Sequence, residues 1–98
     1  MKATLLTRNR VAYAETAFAE VVVWRLPQPL AGSAHAYKYR LAFVLDGVCV
    51  LRYDNESGKG DHRHSRNGEV RYRFTSLDKL FAYFAHDARR ILDEDSHA

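Results

Sequence analysis

Apolar and polar residues alternate in short runs over roughly the first three-quarters of the chain, and a three-to-four spacing replaces the alternation from Leu77 onward. Side chains repeat every two residues along a strand and about every 3.6 along a helix, so the pattern predicts strands followed by one helix. Residues 2–8 predict a first strand, turned by Asn9 and Arg10. Ala17–Leu26 is rich in β-branched and aromatic residues and predicts a second, stopped by Pro27 and Pro29 before a loop over residues 30–36. Tyr37–Leu45 and Val48–Asp54 flank Asp46-Gly47, a strong hairpin signal because a type I′ turn needs positive φ at both central residues. A two-residue turn would pair Leu45 with Val48, Phe43 with Val50, Leu41 with Arg52 and Tyr39 with Asp54. It would leave Lys38, Tyr39, Arg40, Arg52, Tyr53 and Asp54 at the hairpin's mouth. Residues 55–68 are polar and read as a long loop, strand-like only around His62 to His64. Glu69–Phe74 alternates, with Val70, Tyr72 and Phe74 on one side and Glu69, Arg71 and Arg73 on a wet, basic side.

Thr75 is placed to cap the helix, with Asp78 three residues on. Leu77, Leu80, Phe81, Phe84, Ala88, Ile91 and Leu92 then form one apolar stripe suited to packing on a sheet. Residues 93–98 are expected to fray. The result is one domain over residues 1–98 of the α+β class: an antiparallel sheet of four or five strands with the C-terminal helix on one face. Open sheet edges are free to pair with a second copy, which allows a homodimer.

Composition narrows the class. At 47% hydrophobic and 28% charged, the chain is neither disordered nor fibrous. No apolar run approaches the roughly 20 residues that span a bilayer, and residues 1–8 lack the apolar region of a signal peptide. The single cysteine, Cys49, excludes an internal disulfide framework, fits a cytoplasmic setting and reads as a small core residue. The net charge of +3 is unevenly spread. Residues 1–74 hold twelve Lys and Arg against seven Asp and Glu, while residues 75–98 hold three against five. A basic body suits a polyanion such as RNA.

The chemistry gathers between Arg52 and His64. His62 and His64 are two apart, so in an extended segment their imidazoles point the same way, about 7 Å apart along the chain. Cleaving RNA without metal or cofactor needs a base for the 2′-hydroxyl proton and an acid for the leaving 5′-oxygen, and histidine suits both tasks. Lys59, Arg63 and Arg52 are candidate cations for the phosphoryl oxygens, and Asp54 or Asp61 can orient an imidazole. Two readings stand beside this one. His-x-His with a third ligand from Asp61, Asp54 or Glu69 can hold a divalent metal, or the stretch is simply a solvated loop. Tyr37, Tyr39, Tyr53 and Tyr72 can stack bases but equally suit half-buried strands. His35, His86 and His97 read as solvated.

Four stretches together resemble a known family: Val22-Val23-Trp24-Arg25-Leu26-Pro27, His35-Ala36-Tyr37-Lys38-Tyr39-Arg40-Leu41, Leu51-Arg52-Tyr53-Asp54-Asn55 and Gly58-Lys59-Gly60-Asp61-His62-Arg63-His64. They are similar to the TumE-type toxins of bacterial type II toxin–antitoxin systems. The resemblance implies a small growth-inhibiting toxin neutralised by a cognate DNA-binding antitoxin. It points to Arg52, Tyr53, Asp54, Lys59, Asp61, His62 and His64 as the functional stretch. By analogy with other small basic toxins, it makes RNA the expected target, the alternatives being a non-enzymatic binding module that inhibits a cellular target by occupancy and is neutralised by its antitoxin, or a metal-dependent nuclease using His62 and His64.

Overall fold

Each strand hydrogen-bonds to the strand that follows it in sequence. The computed structural model describes residues 2–96. It forms one antiparallel sheet in the order β1 (Thr4–Ala14), β2 (Ala17–Arg25), β3 (Tyr37–Leu45), β4 (Val48–Glu56), β5 (Gly60–Ser65) and β6 (Gly68–Arg71), followed by α1 (Leu77–Ser96). The α+β class and the C-terminal helix are as expected, but the sheet has six strands rather than four or five. The added strand is β5, inside the stretch read as a loop. Asp61-His62-Arg63-His64-Ser65 offers no apolar alternation. It forms a strand because the edge of β4 supplies a ladder partner, from Glu56 opposite Gly60 to Leu51 opposite Ser65.

Four further expectations are corrected. β1 does not turn at Asn9 and Arg10, which pair with Val21 and Glu20 and carry the strand on to Ala14. Ser76, not Thr75, caps α1: its Oγ accepts the Lys79 N–H at 3.1 Å, and its carbonyl accepts the first helical bond from Leu80. β6 ends at Arg71, and Val70 is exposed on this edge strand. The helix is intact through Ser96, so residues 93–96 are ordered in it, while the rest of the expected frayed end and His97 lie outside the described residues.

The hairpin holds the most consequential difference. Asp46 and Gly47 both have positive φ, 52° and 81°, as a type I′ turn requires. Leu45 pairs with Val48 and Val44 with Cys49, but Phe43 then pairs with Leu51, leaving Val50 as a bulge. Every pair beyond it shifts by one, so Leu41 meets Tyr53 and Arg40 meets Asp54. The bulge restores a consistent apolar face: Tyr39, Leu41, Phe43, Leu51 and Tyr53 are buried. α1 lays Leu80, Phe84, Ala88 and Ile91 onto β3 and β4 there. Arg52 and Asp54 pass to the opposite face. Tyr39 and Tyr53, expected at an open mouth, lie in the core, and Cys49, expected in the core, is exposed. No helix among the described residues is long and apolar enough to cross a membrane.

Candidate functional site

The sheet face away from α1 carries an array of charge. Two adjacent rows cross all six strands. In one, Arg8, Val22, Arg40, Asp54, His62 and Arg71 are successive cross-strand partners; in the other, Arg10, Glu20, Ala42, Arg52, His64 and Glu69. At about 4.8 Å per strand the rows run about 24 Å. Arg8, Arg40 and Arg71 are exposed and form no ion pair among the described residues, whereas Arg10 lies 3.7 Å over the Phe18 ring.

His62 and His64 sit at the β5 end of these rows, with ring centroids 6.3 Å apart and ring planes at 50°. Glu69 of β6 lies between them, its Oε1 3.9 Å from His62 Nε2 and 3.8 Å from His64 Nε2. Asp54 Oδ1 is 3.3 Å from His64 Nε2, and its Oδ2 accepts from Arg52 Nε at 3.0 Å. Both imidazoles are partly exposed. The site is thus two neighbouring imidazoles backed by two carboxylates, with Arg52, Arg40 and Arg71 around them. Such a set can exchange protons with a bound ester while its cations hold the anion.

Four of the eight residues expected in the site share this face: His62, His64, Arg52 and Asp54. Asp61, Tyr53 and Arg63 do not, because alternation along β4 and β5 turns them to the other face. Tyr53 Oη donates to Asp87 Oδ2 of α1 at 2.5 Å, and Arg63 Nε donates to the same oxygen at 3.0 Å. Burial opposes charge on Asp87, but these two bonds outweigh it and hold the carboxyl below its ordinary range. Burial and the bond to Asp87 raise the Tyr53 hydroxyl well above the usual phenol range. Lys59 lies in the exposed β4–β5 turn, 3.9 Å from Glu56.

Asp61 anchors a separate buried cluster. Its carboxylate accepts from Ser33 Oγ at 2.6 Å and Tyr39 Oη at 2.7 Å, and its Oδ2 is 2.6 Å from His35 Nε2. Burial first, then Asp61, pushes the Tyr39 hydroxyl far up. His35 is therefore not solvated; its ring stacks on Phe74 at 3.8 Å and its Nδ1 accepts the Tyr37 N–H. Asn55, fully buried, accepts from the Tyr39 N–H at 3.0 Å and donates to the Tyr37 carbonyl at 2.7 Å and to Ser33 Oγ, and its own carbonyl accepts from Lys38 Nζ. The cluster fastens the 30–36 loop to the β4–β5 turn. Gly32 and Gly60 meet backbone to backbone there: a Cβ on Gly60 would stand 2.7 Å from the Gly32 carbonyl oxygen.

Glu69, Arg40 and Arg71 were outside the expected catalytic and phosphate-binding set. The usable signal was Asn67-Gly68: the chain turns at Arg66-Asn67, Gly68 takes a φ of 113°, and β6 runs back along β5 with Glu69 opposite His64. Among the described residues no group of three His, Cys, Asp or Glu is arranged to hold a metal ion.

A small α+β protein with one helix-covered face and one basic, histidine-bearing face is the class these features define. The chain belongs to the family described as Toxin TumE, whose model matches residues 2–92. No curated protein and no solved structure matches it. The protein is therefore a member of a toxin family, and an antitoxin is its implied partner.

Proposed function

We propose that this toxin acts on RNA in the cytoplasm, cleaving phosphodiesters without a metal, and is neutralised by a cognate DNA-binding antitoxin. The observation that supports this reading is the pairing of His62 and His64 on one basic face, 6.3 Å apart, each beside a carboxylate. RNA lies along the two rows, with Arg40, Arg52 and Arg71 holding its phosphates. One neutral imidazole takes the 2′-hydroxyl proton as that oxygen attacks phosphorus. The P–O5′ bond breaks, and the other imidazole, protonated, gives its proton to O5′. The products are a 2′,3′-cyclic phosphate and a 5′-hydroxyl. Asp54 and Glu69 stand beside the two imidazoles and orient them. Asp61, on the other face, holds the 30–36 loop against β5 rather than touching substrate.

The test is purified protein with single-stranded RNA in excess chelator, products resolved by their ends. Cyclic-phosphate ends from the wild type and none from a folded His62→Ala/His64→Ala variant support the reading. RNA that is bound but never cut assigns the face to binding alone. Activity that chelator abolishes and one divalent metal restores assigns the histidines to a metal.

A further inference from the structure

The helix leaves part of its own side of the sheet bare. α1 packs on β3 and β4, and beside it a groove of about 330 Å³ runs along β1, lined by Val11, Tyr13, Val21, Leu41, Phe81 and Ala85. The sheet ends there in β1, an eleven-residue strand whose outer edge pairs with nothing among the described residues. Leu5, Leu6 and Val11 on it are exposed. A long unpaired edge beside a mostly apolar groove, in which Thr7 and Asn9 are the polar liners, accepts an added strand, since main-chain bonds supply affinity and alternate side chains supply fit.

Charge decides what that strand is. Thr4–Ala14 contains Arg8 and Arg10 and no acidic residue, and Arg89 of α1 lies 5.3 Å over the Tyr13 ring at the groove's end. A second copy is disfavoured. The antiparallel register that uses the whole of β1 is centred on Asn9 and sets Arg8 of each copy against Arg10 of the other, and like charges directly opposite destabilise a ladder. We propose that the outer edge of β1 and this groove seat the antitoxin, through a segment alternating acidic residues toward Arg8 and Arg10 with apolar residues toward Val11 and Phe81. The proposal rests on membership in the toxin family, which implies the antitoxin. Bound there, the segment covers the Arg8 end of the charged rows without touching the histidines.

The test is calorimetric titration of the full-length cognate antitoxin into the wild-type chain, an Arg8→Glu/Arg10→Glu variant and an Ala85→Glu variant, each checked for its fold by circular dichroism. Ala85 is an exposed helix position, so Ala85→Glu blocks the groove without disturbing the core. Expected are at least tenfold weaker binding by each variant and slowed amide exchange over residues 4–14 in the wild-type complex. Binding within twofold of wild type by both variants, with exchange over 4–14 unchanged, overturns the seat while leaving the toxin reading intact. A toxin that sediments as a dimer split by the arginine reversal overturns it in favour of a second copy. An antitoxin with no affinity for the wild-type chain overturns the toxin reading itself.

Discussion

The two faces of this sheet use the same residue types for opposite ends. On the helix-covered face, Asp61 is 8% exposed and receives bonds from Ser33 and Tyr39 with His35 alongside, and Asn55 is fully buried with both ends of its amide engaged. On the open face, Glu69 Oε1 lies 3.9 Å from His62 Nε2 and 3.8 Å from His64 Nε2, at ion-pair rather than hydrogen-bond distance, and both rings are partly exposed. A buried polar group fully satisfied by its neighbours rigidifies a fold and has no capacity left for a ligand. A half-exposed group with loose partners contributes little to stability and keeps that capacity. The same alternation that puts His62 and Asp61 on different faces thus divides the loosely partnered groups from the saturated ones.

The sharpest way to break that division is the double substitution His62→Ala/His64→Ala. Removing a general acid or base typically costs 10²–10⁴-fold, so losing both is expected to lower RNA cleavage by at least about a thousandfold. Urea unfolding of the same variant is expected to change stability by less than about 1 kcal/mol, because the rings hold only partly exposed ion pairs. A large stability loss would place these residues with the architecture instead.

Asp61→Ala tests the other face. It strips the acceptor from Ser33, Tyr39 and His35 at once. The expected loss is about 2–4 kcal/mol in urea unfolding, since buried donors left without a partner carry their full desolvation penalty. Cleavage by whatever fraction stays folded should match the wild type per folded molecule. A folded Asp61→Ala protein that binds RNA yet does not cut would return Asp61 to the chemistry.

How much of this was legible beforehand follows from which signals are local. The Asp46-Gly47 turn, the stripe from Leu80 to Ile91 and the shared direction of His62 and His64 are readable because each depends on residues within one element. The Val50 bulge is not. Nothing in Val48-Cys49-Val50-Leu51 marks one residue as extra, and the bulge wins because it lets Leu51 and Tyr53 join Leu41 and Phe43 under the helix. That single insertion carries Arg52 and Asp54 to the histidine face. β5 was hidden for a related reason: a strand of polar residues has no apolar alternation, and its existence depends on a neighbour's edge. The placement of Asp61 and Arg63, by contrast, followed from the alternation already used for the histidines. Residues 52–64 cross two strands and a turn, so their side chains divide between the two faces.

Asp87→Asn probes the join between helix and sheet and has a signed pH dependence. The Asp87 carboxyl is held below its ordinary value of 3.8, because the bonds from Tyr53 and Arg63 outweigh the burial that opposes its charge. A depressed folded-state value stabilises the fold above the unfolded value and ceases to do so as pH falls through the folded one. The variant is therefore expected to be less stable by about 1–2 kcal/mol near pH 7. That gap should narrow progressively as pH drops below about 4. A gap that stays constant down to pH 2, followed by fluorescence of Trp24, would mean that the Asp87 charge adds nothing to the join.

The smallest expected effect belongs to Lys59→Ala, and it tests the division most finely. Lys59 is the one residue of the expected phosphate-binding set that belongs to neither face; its side chain is 66% exposed in the β4–β5 turn and its ion-pair partner there is Glu56, at 3.9 Å. An exposed pair of that kind is worth little, so stability should stay within about 0.5 kcal/mol of wild type. As a diffuse positive charge near the end of the rows, Lys59 should add only slightly to RNA affinity, by about twofold to threefold at low salt and less as salt rises. Arg40→Ala, on the rows themselves, should lower affinity more. If Lys59→Ala has the larger effect, the turn closes over bound RNA and the substrate path bends off the open face toward the β4–β5 end.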